Sequence, residues 1–232
     1  MDKGTLEMII VACVLKVGQF QNRAHTIEYT PKHVQWLAKQ VKEHLTIPHK
    51  FVCLSDVEIP GVKTLPLVND WKGWWSKIEL FRSGLFYDKV FYIDLDTVIT
   101  GNIDELVEYP HTFTTLRQFS QGEKFMNIGS GIMCWNPLVV PELSNIYDTF
   151  KLDADKYMEE YTTSNKWGDQ KFIQHHFPYQ PEFFQFLFPD YIVSFIVDLK
   201  QGNPTKENKI VCFHGKPKPE DIERPWIPAL NQ

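Results

Sequence analysis

Val90-Phe91-Tyr92-Ile93-Asp94-Leu95-Asp96-Thr97-Val98 is the stretch on which the reading of this chain turns. An apolar run ends abruptly in two acids separated by one leucine. In a buried strand the side chains alternate between faces, so Asp94 and Asp96 are expected to point the same way. Two carboxylates on one face repel each other and cost desolvation energy. They persist most easily where a hard cation sits between them and a ligand. In open α/β sheets the carboxyl end of a strand is also where ligands bind.

Working outward, residues 8–15 read as a buried strand, followed by a polar loop over 16–29. Thr30-Pro31 has the form of an N-cap with proline at the first helical position. Val34, Leu37, Ala38, Val41 and Leu45 recur at helical spacing, which predicts an amphipathic helix over 31–45. Strands follow at 50–55 and 61–67, a helix at 74–82, and the acid-bearing strand at 89–93. Asn102-Ile103-Asp104-Glu105 resembles a capping box. Residues 113–119 and 131–135 read as strands. Asn136-Pro137 suggests a further cap, with Leu138, Leu143, Ile146, Tyr147 and Phe150 as the inner face of its helix. Alternating strands and helices imply an α/β fold: a mostly parallel central sheet with helices on both faces. The prolines at 217, 219, 225 and 228 predict an ordered but irregular strap at the end.

With 232 residues, 43% of them hydrophobic and 14% aromatic, the chain suits one large globular domain. We expect residues 1–100 to form a nucleotide-binding half ending in the acidic pair. Residues 101–232 would then form an acceptor half with the strap. A net charge of -5 argues against duplex nucleic acid as a partner. Cys13, Cys53, Cys134 and Cys212 lie in apolar runs without Cys-x-x-Cys spacing, which predicts small buried hydrophobes in a reducing compartment rather than a zinc site. The apolar run at 8–15 is too short to span a bilayer. Asp2 and Glu7 flanking Lys3 do not make a signal peptide, so a cytoplasmic protein is expected.

The acidic pair alone has two functional readings. It resembles the Asp-x-Asp metal site of nucleotide-sugar glycosyltransferases, where a divalent cation bridges the pair to the donor's diphosphate. It also matches the first motif of haloacid-dehalogenase-type phosphatases, where the first Asp is a nucleophile and the second a general acid. A solvated turn is the bland alternative. Other segments bear on the choice. His214-Gly215-Lys216-Pro217-Lys218-Pro219 follows the apolar run Ile210-Val211-Cys212-Phe213. A histidine at a strand end can complete a metal site otherwise built from carboxylates, with the lysines supplying charge for phosphates. Asp169, after Gly168, reads either as a helix cap or as a carboxylate near a sugar. His175 and His176 are adjacent, diverge on a helix and read as structural. Lys77 shares an α-helical face with Trp74 and Phe81, so it either snorkels to solvent or reaches inward to a phosphate. Trp71, Trp74 and Trp75 are expected in the core.

In their order, these pieces resemble a GT-A (Rossmann-like) glycosyltransferase, and are most similar to the family 8 group that includes glycogenin and bacterial galactosyltransferases. The resemblance runs from the first strand to His214. It implies a metal-dependent enzyme moving a sugar from a nucleotide-diphospho-sugar, with UDP favoured, to a glycan or other acceptor with retention of configuration. It implies Mn²⁺ or Mg²⁺ on Asp94, Asp96 and His214. Donor contacts are implied at Val14, Leu15, Lys16, Tyr29, Lys77, Asp94, Leu95, Ser130, Gly215, Lys216 and Lys218. The first strand's end and Tyr29 would meet the base. Asp169 and Gln170 would lie at the transferred sugar. The family's Asn-Ser-Gly entry is here Gly129-Ser130-Gly131, with Asn127 nearby. Its late motif is compressed, so Lys216 and Lys218 compete for the diphosphate. The phosphatase remains the first rival, although its motif is expected near the start of a chain. A non-catalytic nucleotide-sugar or glycan-binding module is the second.

Overall fold

The first strand divides its residues between two cores. In β1 (Ile9–Leu15), Ile9, Val11, Cys13 and Leu15 pack to one side, and Ile10 and Ala12 to the other. This is the two-residue period of a strand buried on both faces. The computed structural model describes residues 8–18, 20–22, 25–119, 126–162 and 168–230, those of 20–27 as backbone only. Asp2, Lys3, Glu7 and parts of the loop between Lys16 and Tyr29 lie outside the described residues.

After β1 come a small antiparallel pair, β2 (Phe20–Asn22) and β3 (His25–Ile27), then helix α1 (Pro31–His44). Strands β4 (His49–Ser55) and β5 (Lys63–Pro66) follow. A 3₁₀ helix over Gly73–Phe81 leads into β6 (Lys89–Ile93) and the short β7 (Thr97–Ile99). Helix α2 (Asp104–Glu108) precedes β8 (Phe113–Arg117) and β9 (Ile128–Trp135). Helices α3 (Ser144–Leu152), α4 (Ala154–Tyr161) and α5 (Asp169–His176) form the next layer. The chain closes through β10 (Glu182–Phe183), α6 (Phe184–Leu187), β11 (Ile192–Ser194) and β12 (Ile210–Cys212).

Seven strands form the central sheet in the order β10-β8-β9-β6-β1-β4-β5. The β5-β4-β1-β6 block and the β10-β8 pair are parallel, whereas β9 runs antiparallel to both β6 and β8. A second sheet, β11-β12-β7, lies beyond the acidic pair. Helix α1 covers one face of the central sheet through Val34, Leu37 and Val41. The 3₁₀ helix, α3 and α5 cover the other through Trp75, Ile146, Phe150 and Phe172. Trp71 and Trp75 fill this second core, where Trp75 stacks on Phe150 with centroids 5.2 Å apart. The strap packs Trp226 against Phe195 and Phe213, in a third cluster that reaches Trp36 of α1. Among the described residues, no helix is long and apolar enough to cross a membrane.

Four local expectations are corrected. The predicted helix over 74–82 is a 3₁₀ helix, so its side chains eclipse every third residue. Asn136-Pro137 opens a turn, and α3 starts only at Ser144, which leaves Leu138 exposed. Ile103 is the N-cap of α2 and no capping box forms there; Asn102 Oδ1 instead accepts from Asp104 N at 3.0 Å. Gly168, not Asp169, is the N-cap of α5. The four cysteines are free and buried.

Candidate functional site

Strand β6 stops at Ile93, and Asp94 extends its ladder by one bond, donating N–H to Gly131 O at 2.8 Å. Leu95 and Asp96 then turn the chain into β7, with Leu95 buried on the α1 side. Strand alternation therefore does not by itself bring the two acids together. A turn between the large and the small sheet does, and each acid acquires its own partners.

Asp94 lies on the side of α5 and the 3₁₀ helix. Lys77 Nζ is 3.0 Å from Asp94 Oδ1 and 3.3 Å from Asp169 Oδ2. It also donates to the backbone oxygen and the hydroxyl of Ser130, each at 3.2 Å. Ser130 in turn donates to Asp169 Oδ2 at 2.6 Å, and the Tyr92 hydroxyl donates to Asp94 Oδ1. Lys77 and Asp169 are both only 6% exposed, so the snorkelling reading of Lys77 fails. Burying these ions costs several kcal/mol each, and it is their mutual attraction and hydrogen bonds that offset this. Burial alone would lower the pKa of Lys77, but Asp169 and Asp94 outweigh it and hold it above its ordinary value. Burial pushes Asp94 up to about 6; Lys77 opposes that rise and Asp96 adds to it. Gly131 makes room, since a Cβ there would sit 3.2 Å from Asp94 Oδ2.

Asp96 faces the strap and the entry to α1. Tyr29 donates its hydroxyl to Asp96 Oδ2 at 3.0 Å, and Lys218 Nζ reaches the same oxygen at 2.5 Å. The Lys218 ammonium also lies 5.8 Å from the centre of the Tyr29 ring and is buried. Burial works to lower the pKa of Lys218, and Asp96 more than reverses it. Lys216 turns away to Asp221 at 2.9 Å, so Lys218 is the lysine that meets the acids. Phe213 N donates to Asp96 O at 3.3 Å, which sets His214 beside the pair. His214 Nε2 shares a 2.7 Å hydrogen bond with Ser194 Oγ, and its ring stacks on Phe119 with planes 7° apart. Gly215 takes φ +75 at the bend into the strap.

The expected metal ligands are thus neighbours but not a ready chelate. Among the described residues no three carboxylate, imidazole or thiol side chains are grouped to hold an ion. Lys218 and Tyr29 occupy Asp96, and Ser194 holds His214 Nε2. Two carboxylates and an imidazole are nonetheless a donor set that suits Mn²⁺ or Mg²⁺. By the chemistry of their donor atoms, Asp94, Asp96 and His214 fit such an ion.

The other predicted positions are scattered. Tyr29 reaches Asp96 with its hydroxyl. Leu15 is in the core, Val14 is partly buried, and Lys16 pairs with Asp56 and Asp70, each at 2.8 Å. Gln170 is half-buried, next to Asp169 on α5. His175 bonds Tyr161 at 2.9 Å, and His176 packs on Phe172. Sequence reasoning missed Tyr92, Ser194 and Phe119. For Tyr92 a signal existed: it lies two residues before Asp94, so the period of β6 puts it on the same side. For Ser194 and Phe119 there was none.

With this geometry in view, the class of fold is clear. The sheet and its flanking helices are those of GT-A glycosyltransferases. A crystal structure of an active-site variant of LgtC matches over 90% of this chain and 89% of its own, at 10% identity and a TM-score of 0.61. Galactosyltransferase LgtC in complex with donor and acceptor sugar analogues matches over 91% and 89%, at 12% identity and a TM-score of 0.60. The glycosyltransferase GlyE of Streptococcus pneumoniae matches over 92% of this chain and 55% of its own, at 14% identity and a TM-score of 0.56. The chain spans about half the length of GlyE. No protein-family model and no curated protein sequence matches the chain.

Proposed function

We propose that this protein is a divalent-metal-dependent, retaining glycosyltransferase that uses a nucleotide-diphospho-sugar, with UDP as the nucleotide. The observation that carries the reading is the acidic pair, Asp94 and Asp96, partnered by two buried lysines at converging strand ends of a GT-A fold. Asp94, Asp96 and His214 would hold Mn²⁺ or Mg²⁺. When bound, such an ion offsets charge on the departing diphosphate. Lys218 would neutralise the diphosphate further, with Gly215 and Lys216 beside it. Lys77 would orient Asp94 and Asp169 together, and Asp169, Ser130 and Gln170 would lie at the transferred sugar. The end of β1, Val14 to Lys16, would meet the base, with the Leu15 side chain in the core, so that residues 1–100 carry the nucleotide. The acceptor would be a glycan or another hydroxyl-bearing molecule. LgtC, crystallised with donor and acceptor sugar analogues, supports a donor and an acceptor meeting on this fold.

The test is direct. The protein is incubated with a panel of nucleotide sugars and Mn²⁺, and donor hydrolysis and thermal stabilisation are followed. UDP-sugars are expected to give slow hydrolysis and a raised melting temperature, both lost in Asp96→Ala. Turnover of a generic phosphate ester with no response to any nucleotide sugar would overturn the reading in favour of a phosphatase. Normal donor binding with neither hydrolysis nor transfer across a panel of acceptors would favour a binding module.

A further inference from the structure

Lys218 stands where a cation bound to Asp96 would stand. Its ammonium touches Asp96 Oδ2 at 2.5 Å, is buried, and lies over the ring of Tyr29, whose hydroxyl binds the same oxygen. Lys77 does the same for Asp94. The pair therefore already has one resident positive charge per carboxylate. A divalent ion placed between the two acids would meet an ammonium within ion-pairing distance, and like charges at that range in a partly buried site repel strongly.

The two lysines differ in how far they are fixed. Lys77 is locked by four contacts: Asp94, Asp169, and the hydroxyl and backbone oxygen of Ser130. For Lys218, Asp96 is the anchoring contact of the ammonium, and its backbone is held separately. Its N–H donates to Asp221 Oδ2 at 2.8 Å, and Asp221 also binds Lys216. Moving the ammonium off Asp96 would therefore break one ion pair and the contact with the Tyr29 ring, and would leave the backbone hydrogen bond of the strap intact.

We propose that Lys218 is an exchangeable counter-cation. It neutralises Asp96 while the donor is absent, and gives up that carboxylate when a divalent cation and a diphosphate arrive together. Its freed ammonium then pairs with the diphosphate oxygens. No covalent bond changes; one ion pair is replaced by two. The consequence is a linkage: free metal binds weakly, a diphosphate strengthens metal binding, and Lys218 sets the size of that coupling. This rests on the metal reading given above.

The experiment measures Mn²⁺ binding to the full chain by calorimetry, with and without UDP, for the natural protein, Lys218→Met, Lys218→Gln and Asp96→Asn. Thermal melts verify that each variant is folded. Without UDP, Lys218→Met and Lys218→Gln are expected to bind Mn²⁺ about tenfold more tightly than the natural protein, the scale of one partly screened charge contact. With Mn²⁺ saturating, both variants are expected to bind UDP about tenfold more weakly. The ratio of Mn²⁺ affinities with and without UDP should therefore shrink. If both variants bind free Mn²⁺ no better than the natural protein while Asp96→Asn abolishes binding, the exchange is wrong and the metal site stands. If Mn²⁺ binding is absent throughout, or indifferent to Asp96→Asn, the metal reading itself falls and takes the exchange with it.

Discussion

Lys77 and Asp169 meet 3.3 Å apart in the interior, one from the 3₁₀ helix and the other from the first turn of α5. The same ammonium binds Asp94, so a single lysine joins the acidic pair to the carboxylate of α5. Removing one partner of a buried ion cluster costs about 3–5 kcal/mol, because the partners left behind are uncompensated. Lys77→Met should lower stability by that amount in urea unfolding. Adding Asp169→Asn to Lys77→Met should recover part of the loss. A single variant as stable as the natural protein would show that the cluster is not buried as described.

Gly168 precedes Asp169 at φ +68, and a Cβ there would lie 2.7 Å from Trp74 Nε1. The left-handed backbone alone costs an ordinary residue of order 1–3 kcal/mol, and the indole clash adds to it. Gly168→Ala should reduce the urea midpoint without changing the slope. An unchanged midpoint would mean that neither the backbone at Gly168 nor the Trp74 indole is constrained as described.

Gly131 presses on the acid itself rather than on the fold. Its added Cβ would stand 3.2 Å from Asp94 Oδ2, in tight contact that the carboxylate can relieve by rotating. Gly131→Ala should change stability by less than about 1 kcal/mol, yet weaken Mn²⁺-dependent UDP binding tenfold or more, since small displacements at such sites are expensive. Calorimetry separates the two effects. Intact UDP binding would dissociate Asp94 from the donor site.

His111 supplies a pH test away from the site. It is 3% exposed, with one ring nitrogen 2.7 Å from Leu106 O and the other 2.7 Å from Thr114 Oγ1. Burial pushes its pKa from the ordinary 6.5 to about 4. Between those values the unfolded chain binds the proton and the folded chain does not. Stability is therefore full above pH 6.5 and is lost as pH falls toward 4, by roughly 3 kcal/mol at most from this group. Urea unfolding at pH 7 and pH 4.5 should show a smaller difference in His111→Gln than in the natural protein. An equal difference would assign the acid sensitivity elsewhere.

Much of the fold is written in local pattern. The two-residue period of Ile9 to Leu15 and the helical period of Val34, Leu37 and Val41 each specify which face meets which core. The antiparallel direction of β9 is not legible, because strand direction depends on how a connection returns and not on the strand's own residues. In the site, Asp94, Asp96, Lys77, Asp169 and His214 stand out by type and context. Their partners do not. Tyr29 joins Asp96 across 67 positions and Lys218 across 122. The irregular strap also offers no period from which to tell Lys218 from Lys216. Lys77 is read on the wrong face geometry, because nothing in Gly73–Phe81 distinguishes a 3₁₀ helix from an α-helix.

The bond from Phe213 N to Asp96 O joins β12 to the turn after β6. During synthesis, Asp96 leaves the ribosome long before the segment that supplies Phe213, His214 and Lys218. Until that segment arrives and docks, Asp96 lacks its lysine. The growing chain therefore carries an acidic turn without its counter-charge until the segment with Phe213 and Lys218 has been made and has docked.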